Sequence, residues 1–297
     1  MKRRDFLHNL AHASAIPAIY SSLGFGSIEF QNFLFNSDSN KKLILIRMDG
    51  GNDGLNTLIP LNNYSELTNV RPNVILPENK IINLESNDLG LHPELTRFKS
   101  LFDEKRLKII QNVGYENPDF SHFRSMDIWQ SGSDSNQYLT SGWLGRYLEN
   151  LHPEYPQAYP TSEFPHPLAV ELGQSSILST GLKTVTSYTS DNPWDYREIM
   201  GDFDNTYPED IIGKKLKFIQ IVSRQSNIYG EALKSCYEKG NNYDNYPNSD
   251  LGGQLKVASS LIKGGLESKI FMANLGGFDT HDNQVIASDT TKGEHAD

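Results

Sequence analysis

The chain is poor in cysteine, in long apolar runs and in basic clusters, and each shortage excludes a class of protein. Cys236 is the one cysteine among 297 residues, so neither an internal disulfide nor a cysteine-rich metal site is expected. No apolar run reaches the roughly 20 residues that a membrane-spanning helix needs. The formal net charge is -10, which argues against nucleic acid as the main partner because phosphate binding needs a positive surface. Any bound metal would be held by aspartate, histidine and similar ligands.

The first residues have the layout of a twin-arginine export signal. Arg3 and Arg4 precede Phe6 and Leu7, and a weakly apolar segment follows. A basic tail packed as an amphipathic helix is the alternative interpretation. We predict a signal at residues 1–27 and a polar linker at 28–40, and hence a periplasmic or extracellular protein exported by the twin-arginine route.

Residues 41–297 predict an α/β domain. Three apolar runs indicate strands: one that begins at Leu43, a second at Leu107–Val113 and a third at Lys269–Leu275. Apolar residues at helical spacing between 93 and 105 indicate a helix between the first and second strands. Strand, helix and strand in this order favour a parallel pair joined by a crossover. The predicted fold is a mostly parallel central sheet flanked by helices. Further helices are predicted at residues 121–132, from 141 onward, at 209–238 and at 251–262. The segment 153–208, rich in Pro, Ser, Thr and Tyr, is interpreted as a loop-rich insertion in which only Leu168–Leu172 and Thr184–Tyr188 are strand-like.

Polar loops follow each of the three predicted strands. The first and third share a Gly-Gly-X-Asp pattern, at Gly50–Asp53 and at Gly276–Asp279. Parallel strands bring the loops at their carboxyl ends to one edge of a sheet, where open α/β folds place their sites. The chemically active side chains that would meet there are Asp49, Asp53, Ser121, His122, Arg124, Asp279 and His281.

These side chains suit metal-assisted chemistry on an anion. Aspartate oxygens and an imidazole nitrogen are suitable ligands for Zn, Mn or a similar divalent ion. Ser121 stands where a helix should begin, which favours nucleophilic attack or anion binding because the free N–H groups there attract negative charge. Arg124 would clamp a phosphate or sulfate group.

Each of these residues also has a purely structural interpretation. Ser121 would serve as a helix N-cap, and Arg124 would pair with an acidic neighbour such as Asp127. Asp279 would cap a turn, and His281 would face solvent. The convergence of three strand ends favours the functional interpretation over the structural one.

Together these motifs resemble a known family. The motifs, in chain order, are Arg3–Leu7, Gly50–Thr57, Ser121–Trp129, Gly142–Arg146 and Gly276–His281. The set resembles the exported bacterial proteins known as the domain of unknown function 1501 family. That family is placed in the sulfatase-like branch of the alkaline phosphatase superfamily, and its activity is not established.

The resemblance implies an alkaline phosphatase-like fold and a role for several residues. Asp53, Asp279 and His281 match metal-binding positions of the superfamily, with Asp49 in a supporting or capping role. Ser121 matches the serine or threonine nucleophile, with His122 and Arg124 beside it. The implied activity is metal-dependent hydrolysis of phosphate or sulfate esters, on a small anionic or polysaccharide-derived substrate. A catalytically silent exported binding or assembly protein with the same fold is the rival hypothesis.

One departure from the family pattern concerns the C-terminal end. The resemblance implies a further strand and a later Asp-His-Gly element, whereas the sequence ends at Gly293–Asp297. We therefore expect part of the sheet and of the metal ligand set to be missing, as in a truncated form or an inactive fragment.

Overall fold

The computed structural model describes residues 41–84, 88–190, 192–196 and 206–297. The predicted signal and linker, residues 1–40, lie outside the described residues. The chain divides into two compact units. Unit 1 comprises the described part of Met1–Arg47 together with that of Gly114–Asn274, and unit 2 comprises the described part of Met48–Val113 together with Leu275–Asp297.

The described chain contains both strands and helices. The strands are β1 (Leu43–Met48), β2 (Leu58–Pro60), β3 (Ile82–Leu84), β4 (Leu89–Leu91), β5 (Ala169–Glu171), β6 (Ser187–Thr189) and β7 (Ile270–Leu275). The helices are α1 (Gly54–Thr57), α2 (Tyr64–Val70), α3 (Thr96–Asp103), α4 (His122–Ser131), α5 (Trp143–Leu151), α6 (Ile211–Gly240) and α7 (Asp250–Lys263).

A parallel four-stranded sheet forms the centre of unit 1, with the order β1-β7-β5-β6. Successive side chains of a strand point to opposite faces, and the core follows that alternation. Ala169 and Ile270 pack on one face with Leu144 and other residues of α5. Val170 and Phe271 pack on the other face against side chains of α6 and α7. The molecule is thus an α/β protein whose parallel sheet is covered by helices, as predicted.

The periodic helices and the first and third predicted strands are confirmed. Capping residues explain where several helices begin, because a side-chain oxygen satisfies a backbone N–H that has no partner within the helix. Ser121 caps α4, Asp210 caps α6 and Ser249 caps α7, and Gly132 ends α4 in a left-handed conformation. In the segment 153–208, predicted as a loop-rich insertion, the two strand-like stretches overlap β5 and β6, which belong to the sheet. In the described ranges, none of the helices combines the length and the apolar content needed to span a bilayer.

The predicted second strand, Leu107–Val113, is wrong. The structure shows irregular backbone over these residues, and Ile110 and Val113 are more than half exposed. Asn112 has a φ of 57°, and Lys105, shortly before the segment, has a φ of 58°. A left-handed residue inside the run interrupts extended backbone, so the apolar pattern does not produce a strand here.

Unit 2 has a small sheet of its own. Its antiparallel strands are ordered β2-β4-β3, with Ile59 opposite Gly90 and Ile82 opposite Leu91. Gly90 is needed because a Cβ at this position would lie 2.2 Å from Cγ2 of Ile81. Ile59 belongs to a separate apolar cluster that also includes residues of α2 and of the segment that follows it.

Candidate functional site

The two Gly-Gly-X-Asp loops, which directly follow β1 and β7, meet in unit 2. The backbone N–H of Asp49 donates to the carbonyl oxygen of Leu275 at 2.8 Å. Gly50 has a φ of +103°, and a Cβ there would lie 2.7 Å from the backbone nitrogen of Asp279. Glycine therefore permits the close approach of the two loops. The sequence predicted that these loops would meet, because they follow parallel strands of one sheet.

Asp53 is held firmly by protein donors. It caps α1 by accepting from the N–H of Leu55 at 3.1 Å. Arg71 donates to both of its oxygens, through Nη1 at 3.1 Å and through Nη2 in a shorter ion pair. Gln284 Nε2 donates to Oδ2 at 2.5 Å. A metal would have to displace Arg71 or Gln284 to gain full access to this carboxylate.

The electrostatics of Asp53 agree with that geometry. Burial alone would raise the pKa of the carboxyl group, because desolvation disfavours the charged form. The hydrogen bonds from Arg71 and Gln284, the charge of Arg71 and the bond from Leu55 together outweigh burial, so the pKa lies below its ordinary value. Asp53 is therefore a stable carboxylate at neutral pH.

Asp279 occupies the same place in the second Gly-Gly-X-Asp loop as Asp53 does in the first, and it forms an exposed pair with His281. Nε2 of His281 lies 3.2 Å from Oδ1 of Asp279, and the side chains of His281 and Asp279 are 77% and 50% exposed, respectively. His281 has a φ of 46°, an unusual conformation for a residue without a special local role. The pair gives an imidazole whose orientation is set by a carboxylate, an arrangement that suits general acid–base chemistry.

The side chains present do not by themselves make up a complete metal site. Zinc takes about four ligands and harder divalent ions about six or more. Within the described ranges, no three His, Cys, Asp or Glu side chains are grouped so that they would hold an ion. Asp279 and His281 supply two donors, and the oxygens of Asp53 are bonded to Arg71 and Gln284.

The predicted nucleophile and its neighbours, Ser121, His122 and Arg124, belong to unit 1. Ser121 is exposed, and its Oγ accepts from the N–H of Arg124 at 3.5 Å as the cap of α4. The N–H of Ser121 donates to Oδ1 of Asp119 at 2.7 Å. His122 is exposed at the first position of the helix. The structural interpretation of Ser121 as an N-cap is confirmed, and its predicted reactivity stays a prediction.

Arg124 has a different environment from the anion clamp that was predicted. Its Nη2 donates to the carbonyl oxygens of Ser135 at 3.0 Å and Gln137 at 2.5 Å, with a longer contact to that of Asp134. Its guanidinium group also lies 3.9 Å from the centre of the Tyr138 ring, and the residue is buried. Arg124 therefore anchors the loop after α4, because buried guanidinium groups need such partners. Asp127, the alternative partner proposed above, is not among these contacts.

Sequence reasoning missed a histidine pair in unit 2. Nε2 of His295 lies 3.3 Å from Oδ1 of Asn52 and 3.4 Å from Oγ1 of Thr57. The rings of His295 and His92 meet edge to face with centroids 5.8 Å apart. Burial is the main cause that lowers the pKa of each imidazole, so both favour the neutral form. Asn52 and His295 are 243 residues apart, so no local pattern could have predicted the contact.

A second unforeseen group is Glu171 at the carboxyl end of β5 in unit 1. It is buried, and its carboxylate accepts from the N–H and Oγ of Ser176 and from Oγ of Ser179. Burial raises its pKa, although these hydrogen bonds and the charge of Arg47 act in the opposite direction. The adjoining cavity of about 10 Å³ has room for one water molecule and no larger ligand. Glu171 therefore organises the loop that follows it.

Comparison with models of protein families, with curated proteins and with solved structures finds no match for this chain. The assignment of a function therefore depends on the residues described above.

Proposed function

We propose that this protein is an exported hydrolase of phosphate or sulfate esters, of the sulfatase-like branch of the alkaline phosphatase superfamily. Its active site would lie at the loops after β1 and β7. The observation that carries the proposal is the meeting of the two Gly-Gly-X-Asp loops, with the Asp279–His281 pair exposed on one of them. Export is supported by the Arg3–Arg4 pattern in the sequence.

The Asp279–His281 pair would act as a general base and then as a general acid. When Nε2 of His281 donates to Oδ1 of Asp279, the other ring nitrogen, Nδ1, is left as the acceptor. That nitrogen would take a proton from an attacking hydroxyl or water and return it to the leaving oxygen. Ser121 is the hydroxyl that the family resemblance assigns to the attack.

A divalent metal, Zn or Mn, belongs to the proposal through the resemblance alone. When bound, such an ion would neutralise charge on the phosphoryl or sulfuryl oxygens. Asp279 and His281 would supply two donors, and at least two further ligands would be required.

The test uses the full chain with nitrophenyl phosphate and nitrophenyl sulfate, assayed during titration with zinc or manganese. We expect ester hydrolysis that is lost in Ser121→Ala and in His281→Gln. Ser249→Ala is the matched control, because Ser249 caps α7 as Ser121 caps α4, through a bond to the N–H of Gly252 at 3.1 Å. Both serine variants should lose about 1 kcal/mol of stability with their caps. Equal activity in the two variants would contradict the assignment of Ser121.

A second candidate function, a catalytically silent exported binding or assembly protein, is favoured by a different observation. Asp53, Ser121 and Arg124, three of the predicted site residues, each have a structural role in the described contacts. This candidate predicts neither metal uptake nor hydrolysis at any metal concentration, with a stable fold by circular dichroism. Stoichiometric metal binding together with turnover would exclude it.

A further inference from the structure

The start of α6 is exposed, since every residue from Ile211 to Ile219 except Gly213 is exposed. The helix runs from Ile211 to Gly240, yet the only buried residue of this helix before Gln225 is Gly213. Gly213 is buried because it lies close to the carbonyl group of Pro208. We call residues 211–224 the basic start of α6.

Large apolar side chains lie together on the basic start of α6. Ile212, Leu216 and Ile219 are spaced i, i+4 and i+7 and therefore share one face of the helix. Ile211 and Phe218, also seven residues apart, lie next to that face. All five are exposed, Ile211 to 73% and Ile212 to 67%. They form an apolar stripe that Lys215 interrupts, because Lys215 lies between Ile212 and Phe218 around the helix.

The charges around this stripe have one sign. Lys214, Lys215, Lys217 and Arg224 are all exposed, and no acidic residue occurs between Ile211 and Gly230. Glu209 and Asp210 precede the helix, and the carboxylate of Asp210 accepts from the N–H of Gly213 at 2.7 Å as its cap. In a chain of net charge -10, this is a local concentration of positive charge.

We propose that the basic start of α6 binds the surface of an anionic lipid bilayer. An exposed apolar stripe flanked by lysines is the pattern of helices that lie in the membrane interface. The lysine stems extend along apolar surface while their ammonium groups reach the headgroups. A lipid surface needs no shaped groove to accept five apolar side chains, whereas a protein partner would have to supply one. The negative charge elsewhere in the chain is screened beyond about 8 Å at physiological ionic strength.

The test measures co-sedimentation of the full chain with two vesicle compositions. One is phosphatidylcholine alone, and the other is an equimolar mixture of phosphatidylcholine and phosphatidylglycerol. We expect binding to the anionic vesicles, weakened by salt. The triple variant Lys214→Gln, Lys215→Gln, Lys217→Gln should lower the partition coefficient on the order of a hundredfold. Its control changes the net charge equally at exposed lysines elsewhere, namely Lys80→Gln, Lys108→Gln, Lys239→Gln.

The apolar stripe is tested separately by Ile212→Gln, Ile219→Gln. This variant keeps the charge and should bind at least about tenfold more weakly, whereas Val70→Gln, Leu182→Gln, at two other highly exposed positions, should bind as the parent does. Circular dichroism verifies that each variant is folded. Equal binding to both vesicle compositions, or no binding to either, would overturn the proposal. Self-association of the free chain that the stripe variant abolishes, without vesicle binding, would show instead that a second copy covers the helix.

Discussion

Replacement of Asp53 by asparagine tests whether this carboxylate anchors the structure of unit 2. The new amide would keep one oxygen for the N–H of Leu55, but it would present an NH₂ donor where Arg71 and Gln284 also donate. A hydrogen bond to a charged group contributes about 1.5–3 kcal/mol when partly shielded from water. The side chains of Asp53 and Arg71 are 14% and 21% exposed, so little of this is lost to solvent screening. We expect Asp53→Asn to lower the free energy of unfolding by about 2–3 kcal/mol at neutral pH.

The pH dependence of the stability lost in Asp53→Asn tests whether the loss is electrostatic. The folded pKa of Asp53 lies below its ordinary value of 3.8, so the carboxylate stabilises the fold above pH 3.8. This contribution disappears as the pH falls through the lowered folded pKa. Urea unfolding of parent and variant should therefore give curves that differ at neutral pH and converge under acid conditions. A difference below about 0.5 kcal/mol at neutral pH would refute the reasoning, because ordinary surface substitutions have effects of that size.

Arg71→Gln extends the same experiment to the question of metal binding. This variant releases Asp53 from its ion pair while leaving the carboxylate in place. If Asp53 is also a metal ligand, zinc affinity should rise in Arg71→Gln and fall in the double variant with Asp53→Asn. If Asp53 has only a structural role, zinc affinity should be the same in all three proteins. Isothermal titration calorimetry distinguishes these outcomes.

Three further predictions concern the loop after β1, helix α5 and the histidine pair. Gly50→Ala should cost more than about 1 kcal/mol in unfolding free energy because of its positive φ and the adjoining backbone, whereas Gly54→Ala, with open space around it, should be nearly neutral. Glu149→Ala should cost about 3 kcal/mol or more, since three backbone N–H groups would lose their acceptor; urea unfolding measures both changes. Because burial lowers the pKa values of His92 and His295, the unfolded chain binds more protons, so stability should fall as the pH drops below 6.5. His295→Phe should reduce that slope, and an unchanged slope would contradict the assignment.

The elements that the sequence predicted correctly are those whose pattern is local and strong. α6 and α7 have long apolar repeats and capping residues, and β7 begins with four apolar residues, all of them buried. In these cases tertiary packing reinforces what the residues prefer by themselves. The three-residue strands are too short to produce a periodic signal. The sequence indicated only a short extended segment at 56–60, which covers β2, whereas β3 and β4 went unpredicted.

The segment 107–113 shows where a local pattern misleads. Its apolar content resembles that of β7, yet it forms no strand, and Asn112 adopts positive φ. A strand needs a hydrogen-bonding neighbour as well as apolar side chains, and the sequence does not specify the neighbour. The same limit applies to the site, because Arg71 and Gln284 lie 18 and 231 residues from Asp53.

The repeated Gly-Gly-X-Asp pattern predicted that two loops would meet, but it did not determine what each aspartate does. The residues that follow Asp53 begin α1, and its carboxylate becomes the cap of that helix and the partner of Arg71. The residues that follow Asp279 turn instead into a short 3-10 segment, and its half-exposed carboxylate lies beside His281. One aspartate is thus fixed within the structure while the other lies on an exposed loop in the same unit. If this protein carries out chemistry here, the exposed pair Asp279 and His281 is where substitution should abolish activity, whereas Asp53 should act mainly through stability.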